Sequence, residues 1–211
     1  MKKLFLVFLL FFKITFSFSQ NEKDEFDIYN KIIDFRLAQL DSKIDTIIVI
    51  KQFEDVQKQD FSLITDLTLD TIPDYAYNFI YSKTDKSFIE RLRTEPEIKK
   101  VIADLISNFK NHPNLDRKLN HPNVYFQYLN SKTFDSYFKN AKKIDNSWKK
   151  IKKKYNSNLI FQFSRVQINS NLATLYQSHH CGGLCGSGDL FILEKINEKW
   201  EILKIINLWQ S

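Results

Sequence analysis

Residues 172–209 read LATLYQSHHCGGLCGSGDLFILEKINEKWEILKIINLW, and the rest of the chain is best understood outward from them. Apolar residues recur there with a period near two, as in β-strands, and two turn signals interrupt them, the glycine-rich run and Asn197-Glu198. Carried upstream through Asn169-Ser170-Asn171 to Leu159, the pattern predicts four strands: Leu159 to Ile168, Leu172 to Ser178, Leu190 to Ile196 and Lys199 to Trp209. Connectors this short make the strands antiparallel neighbours, because a parallel crossover needs about a dozen residues or more. The expectation is a four-stranded antiparallel meander over residues 159–209.

Upstream the period changes. Phe26, Tyr29, Ile33, Leu37 and Leu40 recur at helical spacing, with Ile32 widening the stripe, and predict a helix from Glu22 to about Leu40. Thr46 to Ile50 is a β-branched run of strand length whose continuous hydrophobicity predicts cover on both faces. Beyond Pro73, Tyr75, Tyr77, Phe79 and Tyr81 alternate as in a strand. Thr94-Glu95-Pro96-Glu97 reads as a capping box ahead of Ile98, Val101, Ile102, Leu105, Ile106 and Phe109, a helix that should stop before Pro113. Val124 to Tyr128 looks extended. Ser131-Lys132-Thr133 then offers caps for a helical stretch with a break near Asn140, whose stripe is Phe138, Ala141, Ile144, Trp148, Ile151 and Tyr155. Lys142, Lys143, Lys149, Lys150, Lys152, Lys153 and Lys154 lie off that stripe and read as a solvated face, with anionic lipid, nucleic acid or an acidic partner as the alternative occupants of such a basic helix. The fold class is α+β: an N-terminal helix and strand, central helices over about 86–155, then the meander.

The first 19 residues have a basic start, a short apolar core and Ser17-Phe18-Ser19 before a cut site, as in a secretory signal peptide. The expectation is one α+β domain over 20–211, exported to the periplasm or secreted, with membrane contact only through the cleaved leader. Losing Lys2, Lys3 and Lys13 lowers the formal charge from +6 to +3. Residues 20–70 hold 12 acidic and 6 basic side chains and the remainder is basic, an asymmetry too weak to imply nucleic acid. Only four Gly and four Pro in 211 residues, with abundant Phe and Tyr, argue against a disordered chain.

Both cysteines, all four glycines and two of the four histidines fall between His179 and Gly188. In an exported protein, Cys181 and Cys185 are expected to form a disulfide across a hairpin tip, with the glycines supplying positive φ angles and close backbone approach. The alternatives are zinc or copper held by Cys181, Cys185 and His179 or His180, or a redox-active pair. Adjacent strand residues point to opposite faces, so at most one of the two histidines would join the cysteines. Ser178 beside His179 is adjacency and not triad geometry, and no Gly-x-Ser-x-Gly or His-Glu-x-x-His pattern occurs, so no catalytic residue is assigned. His112-Pro113-Asn114 and His121-Pro122-Asn123 repeat one motif but read as solvated turns.

Phe163-Ser164-Arg165-Val166, Cys-Gly-Gly-Leu-Cys-Gly-Ser-Gly from Cys181, Leu193-Glu194-Lys195, Lys199-Trp200 and Leu208-Trp209-Gln210-Ser211 together resemble a group of uncharacterised exported bacterial proteins. The resemblance covers the region from Phe163 to the end, with a weaker echo in the first helix and strand, and implies no activity or cofactor. Glu198 stands where that pattern would place a glycine in the last turn. A helix covered by an antiparallel sheet is also the plan of cystatin-like and nuclear-transport-factor-2-like domains. The resulting expectation is a non-enzymatic binding or structural domain for a protein or small ligand, with a metal-binding or thiol-redox protein as its alternative.

Overall fold

The computed structural model describes residues 22–40, 44–51, 62, 64–76, 86–111, 115, 118–139 and 144–211. The leader, His112, Phe61, Leu63, Tyr77, Phe79, Tyr81, Ala141, Lys142 and Lys143 lie outside them. The elements in order are α1 (residues 22–37), β1 (Thr46–Ile50), α2 (Lys86–Thr94), α3 (Pro96–Asn111), β2 (Tyr125–Leu129), α4 (Ser131–Tyr137), α5 (Ile144–Tyr155), β3 (Ile160–Phe163), β4 (Gln167–Asn169), β5 (Leu172–Gly182), β6 (Cys185–Ile196) and β7 (Lys199–Gln210). Among the described residues before α2, positions 62, 64–66 and 74–76 are also helical.

All seven strands form one sheet in the order β2-β1-β3-β5-β6-β7, with β4 also paired to β5. The C-terminal strands run antiparallel as expected, and β5, β6 and β7 make the long meander. Segment 159–168 is split in two: β3 and β4 both pair with β5, and residues 164–166 break the ladder between them. β1 lies between β2 and β3 and is parallel to both, so the sheet is mixed. Helices supply the long connections that parallel pairing requires.

The sheet is covered on both faces. On one, α1 packs Ile28, Tyr29, Ile32 and Ile33 against Ile47, Val49, Phe161, Phe163, Leu175, Phe191 and Leu193. On the other, Ile98, Val101, Ile102 and Leu105 of α3 cover Leu172, Leu190, Ile192 and Ile206. Beside them, Ile151 with Phe134, Phe138 and Trp148 covers Ile48, Ile50 and Ile160. Thr46–Ile50 is buried at every position because it sits between both layers. Each fully buried aliphatic side chain contributes about 1.5–3 kcal/mol, so these interfaces dominate stability.

Several local expectations need correction. Residues 74–76 are helical, so the alternation starting at Tyr75 does not describe a strand there. The Thr94 hydroxyl donates to the Glu90 carbonyl at 2.8 Å, because Thr94 ends α2 instead of capping α3. Helix α4 is capped by Asn130, whose Oδ1 accepts from the Thr133 amide at 2.7 Å, one residue before Ser131. In the last hairpin Asn197 and Glu198 both have positive φ, 49° and 63°, the backbone of a type I′ turn built without glycine.

Candidate functional site

The loop from His179 to Gly188 is the tip of the β5–β6 hairpin. Gly182 pairs with Cys185, leaving Gly183-Leu184 as a two-residue turn, and the register slips between His180 and Gly182. Cys181 and Cys185 are joined by a disulfide across this turn, with Cα atoms 5.1 Å apart. By chain entropy so small a ring contributes about 2 kcal/mol. Beneath the tip, Asn158 Nδ2 donates to the Cys181 carbonyl at 2.6 Å, and Gly183 lies against Ile144 and Asp145 at the start of α5.

None of the described glycines has positive φ; close approach is their role instead. A Cβ on Gly188 would overlap the Trp209 indole nitrogen and the Tyr176 hydroxyl, which hydrogen-bond to each other at 2.8 Å. A Cβ on Gly186 would stand 3.0 Å from both the His179 carbonyl and Ser211 Oγ, and 3.1 Å from His180 Nδ1. With no side chains below them, the rings of His180 and Trp209 stack at 5.4 Å, and Phe134 of α4 lies 6.4 Å beyond His180. Burial in this aromatic setting lowers the His180 pKa.

His179 points to the other face, as strand alternation requires. There it meets a buried polar cluster that the sequence reading missed. The Arg36 guanidinium pairs with Asp189 through Nη2 and donates from Nε to Gln177 Oε1 at 2.7 Å. Asp189, 3% exposed, also accepts from Ser187 Oγ at 2.6 Å and from Asn207 Nδ2 at 2.7 Å. A one-residue bulge between Gly188 and Asp189 pairs Asn207 with Asp189 and Trp209 with Gly188, so the two side chains serve opposite faces. Gln177 completes the cluster by donating to the Ser178 carbonyl at 2.7 Å.

His179 Nδ1 lies 3.3 Å from Ser187 Oγ. The single Ser187 proton is committed to Asp189, so Nδ1 carries the hydrogen and donates to Oγ. Desolvation, followed by the repulsion of Arg36, pushes the His179 pKa down to about 4. Serine therefore stands between histidine and aspartate, whereas a hydrolytic triad places histidine in the middle. Ser178 gives its hydroxyl to Gln162 at 3.1 Å, away from His179.

One signal for this cluster was present in the chain. Arg36 follows Ile32 and Ile33 at four and three residues, inside the buried stripe, and a charge placed there requires an opposite one. Its partner, 153 positions away, had no local mark.

The other candidates have structural partners. His121 is buried; its Nδ1 accepts from the Asn123 amide at 3.2 Å, and its Nε2 lies 3.0 Å from Asp34 Oδ1. Glu194 and Glu201 oppose each other on β6 and β7, but Arg91 of α2 binds the first and Lys31 of α1 the second. Asp24 is buried with Lys195 and Trp200 Nε1 at 2.9 and 3.1 Å. Among the described residues, no group of three or more His, Cys, Asp or Glu is arranged to hold a metal ion, and no helix is long and apolar enough to cross a membrane.

What the fold and site define is a class: an α+β domain whose mixed sheet carries a disulfide-bonded hairpin beside a buried polar cluster. No family model, no curated protein and no solved structure matches the chain.

Proposed function

We propose that the protein is exported and acts as a binding or structural domain, with the β5–β6 hairpin as its rigid edge. The observation that carries this reading is the mutual saturation of Arg36, Ser187 and Asp189 at that hairpin. Both Asp189 oxygens, the Ser187 proton and the Arg36 Nε and Nη2 donors are engaged with one another or with Gln177 and Asn207. A nucleophile or general base needs a free lone pair facing substrate, and groups held this way serve rigidity instead. Export is supported by the leader-like first 19 residues and by a bonded cysteine pair, which suits an oxidising compartment.

The test is intact-mass analysis of protein recovered from an exporting host, alkylated before and after reduction. The expected species begins at Gln20, and neither thiol is alkylated until reductant is added. A retained leader with both thiols reactive would overturn the export reading.

A further inference from the structure

We infer that the tip of the β5–β6 hairpin and the lysine ridge of α5 together form a docking surface for an anionic phospholipid bilayer. This deepens the binding reading above by naming the partner. Leu184 is 91% exposed at the centre of the turn, an unfavourable place for a leucine in water. The disulfide closes the turn directly beneath it, so little conformational freedom remains to be lost when the side chain enters an apolar layer. Ile144, 40% exposed, lies against Gly183 and extends the apolar point.

The basic charge begins one helical turn further along α5. A Cβ placed on Gly183 would come within 3.8 Å of Asp145 Oδ1, so the helix starts beside the turn, and Lys149, Lys152 and Lys153 follow Asp145 at four, seven and eight residues, along one side of the helix. α5 holds five lysines against one aspartate, and all five are exposed. Among the described residues, Lys149, Lys150, Lys152 and Lys153 have no acidic partner. Among the described residues the ridge is therefore basic, with Asp145 as the one acid on α5 itself.

The chemistry favours lipid over an acidic protein. α5 has no arginine, the residue suited to bidentate carboxylate recognition, while lysine stems adapt to a fluid layer of headgroups. A single aliphatic point beside a helix of exposed lysines matches an interface whose outer layer is anionic and whose interior is hydrocarbon.

Protein recovered from an exporting host, with its N-terminus read by mass spectrometry, is floated with vesicles of phosphatidylglycerol and phosphatidylethanolamine, or of phosphatidylcholine alone. The parent is expected to partition onto the anionic vesicles only, and less so as salt rises. The triple variant K149Q/K152Q/K153Q should lose partition on the order of a hundredfold. Leu184→Ser should lose about tenfold. Both should melt like the parent, so that lost binding is not lost folding. Partition insensitive to vesicle charge, or either variant binding like the parent, overturns the proposal. Retention on immobilised polyglutamate without vesicle binding overturns it too, in favour of an acidic protein. The export reading is judged separately, by the N-terminus and the thiols.

Discussion

The Arg36 guanidinium in α1 pairs with the Asp189 carboxylate in β6, each almost fully buried, across 153 residues of chain. Desolvating both charges is costly, and it is offset by Gln39 and Gln177, which accept from the guanidinium, and by Ser187 and Asn207, which donate to the carboxylate. Its main effect is therefore on register: it fixes where α1 sits along β5 and β6.

Removing one partner leaves a buried charge. Arg36→Met is expected to destabilise by about 3–5 kcal/mol, read as a lower urea midpoint. The double variant R36M/D189L should recover much of that loss. Equal destabilisation of single and double variants would show that the burial of charge is not what matters.

Gly188→Ala should destabilise by about 1–3 kcal/mol, because the new methyl group meets Trp209 and Tyr176 in a filled site. Adding Trp209→Leu should make the alanine nearly neutral. If the thermal shifts of the two changes simply add, the overlap is not the cause.

The Cys181–Cys185 bridge should raise stability by about 2 kcal/mol over the Cys181→Ala, Cys185→Ala double variant, compared by urea unfolding without reductant. The reduced protein should take up neither zinc nor copper(I) stoichiometrically. His179 and His180 face opposite sides of the sheet, the first bonded to Ser187 and the second stacked on Trp209. Elemental analysis showing one metal per chain after reduction would instead support the His179, His180, Cys181 and Cys185 metal site.

His179 makes stability depend on pH. Its folded pKa of about 4 lies below the ordinary value of 6.5, so between these values the unfolded chain binds a proton that the folded chain refuses. Stability from this group is complete above pH 6.5, falls as the medium is acidified, and levels off below 4. Discounted for partial solvent screening of the ring, the loss is about 2 kcal/mol. Denaturant titrations across this window should show a shallower slope for His179→Gln; an unchanged slope would remove His179 as the source.

Glu198 occupies a left-handed position, φ 63°, that glycine tolerates better. Glu198→Gly should stabilise the β6–β7 hairpin by up to about 1 kcal/mol, read from the melting temperature. Destabilisation would mean that the contact of Glu198 with Lys195, at 3.5 Å, outweighs the backbone term.

The α+β class, α1, the fully buried β1, α3 ending at Asn111, the break between α4 and α5 and the β5–β6–β7 meander were legible in the chain. Each is announced by a local pattern or punctuation that the backbone obeys: 3.6 for helices, two for the meander strands, a continuous β-branched run for β1, polar residues at turns. The disulfide was legible as well, because two cysteines four residues apart at a hairpin tip are already neighbours. Caps and turn types were less so. Asn130 took the place of Ser131 at the start of α4, and type I′ geometry was reached at Asn197-Glu198 without glycine, since the flanking elements impose the backbone there.

By itself, then, the sequence determined α1, α3, β1 and the strands of the meander, which of those strands turn back on their neighbours, and where the thiols close. Only the tertiary structure decided that β1 runs parallel between β2 and β3, that Arg36 meets Asp189, and that the glycines at 186 and 188 make room for rings on one face while His179 joins the buried cluster on the other. The physical reason is range. Periodicity and turn chemistry act over a few residues, whereas parallel pairing and buried charge pairs join segments with no common local pattern. They are settled by which arrangement buries the apolar faces of α1, α3 and α5 while leaving each buried polar group a partner.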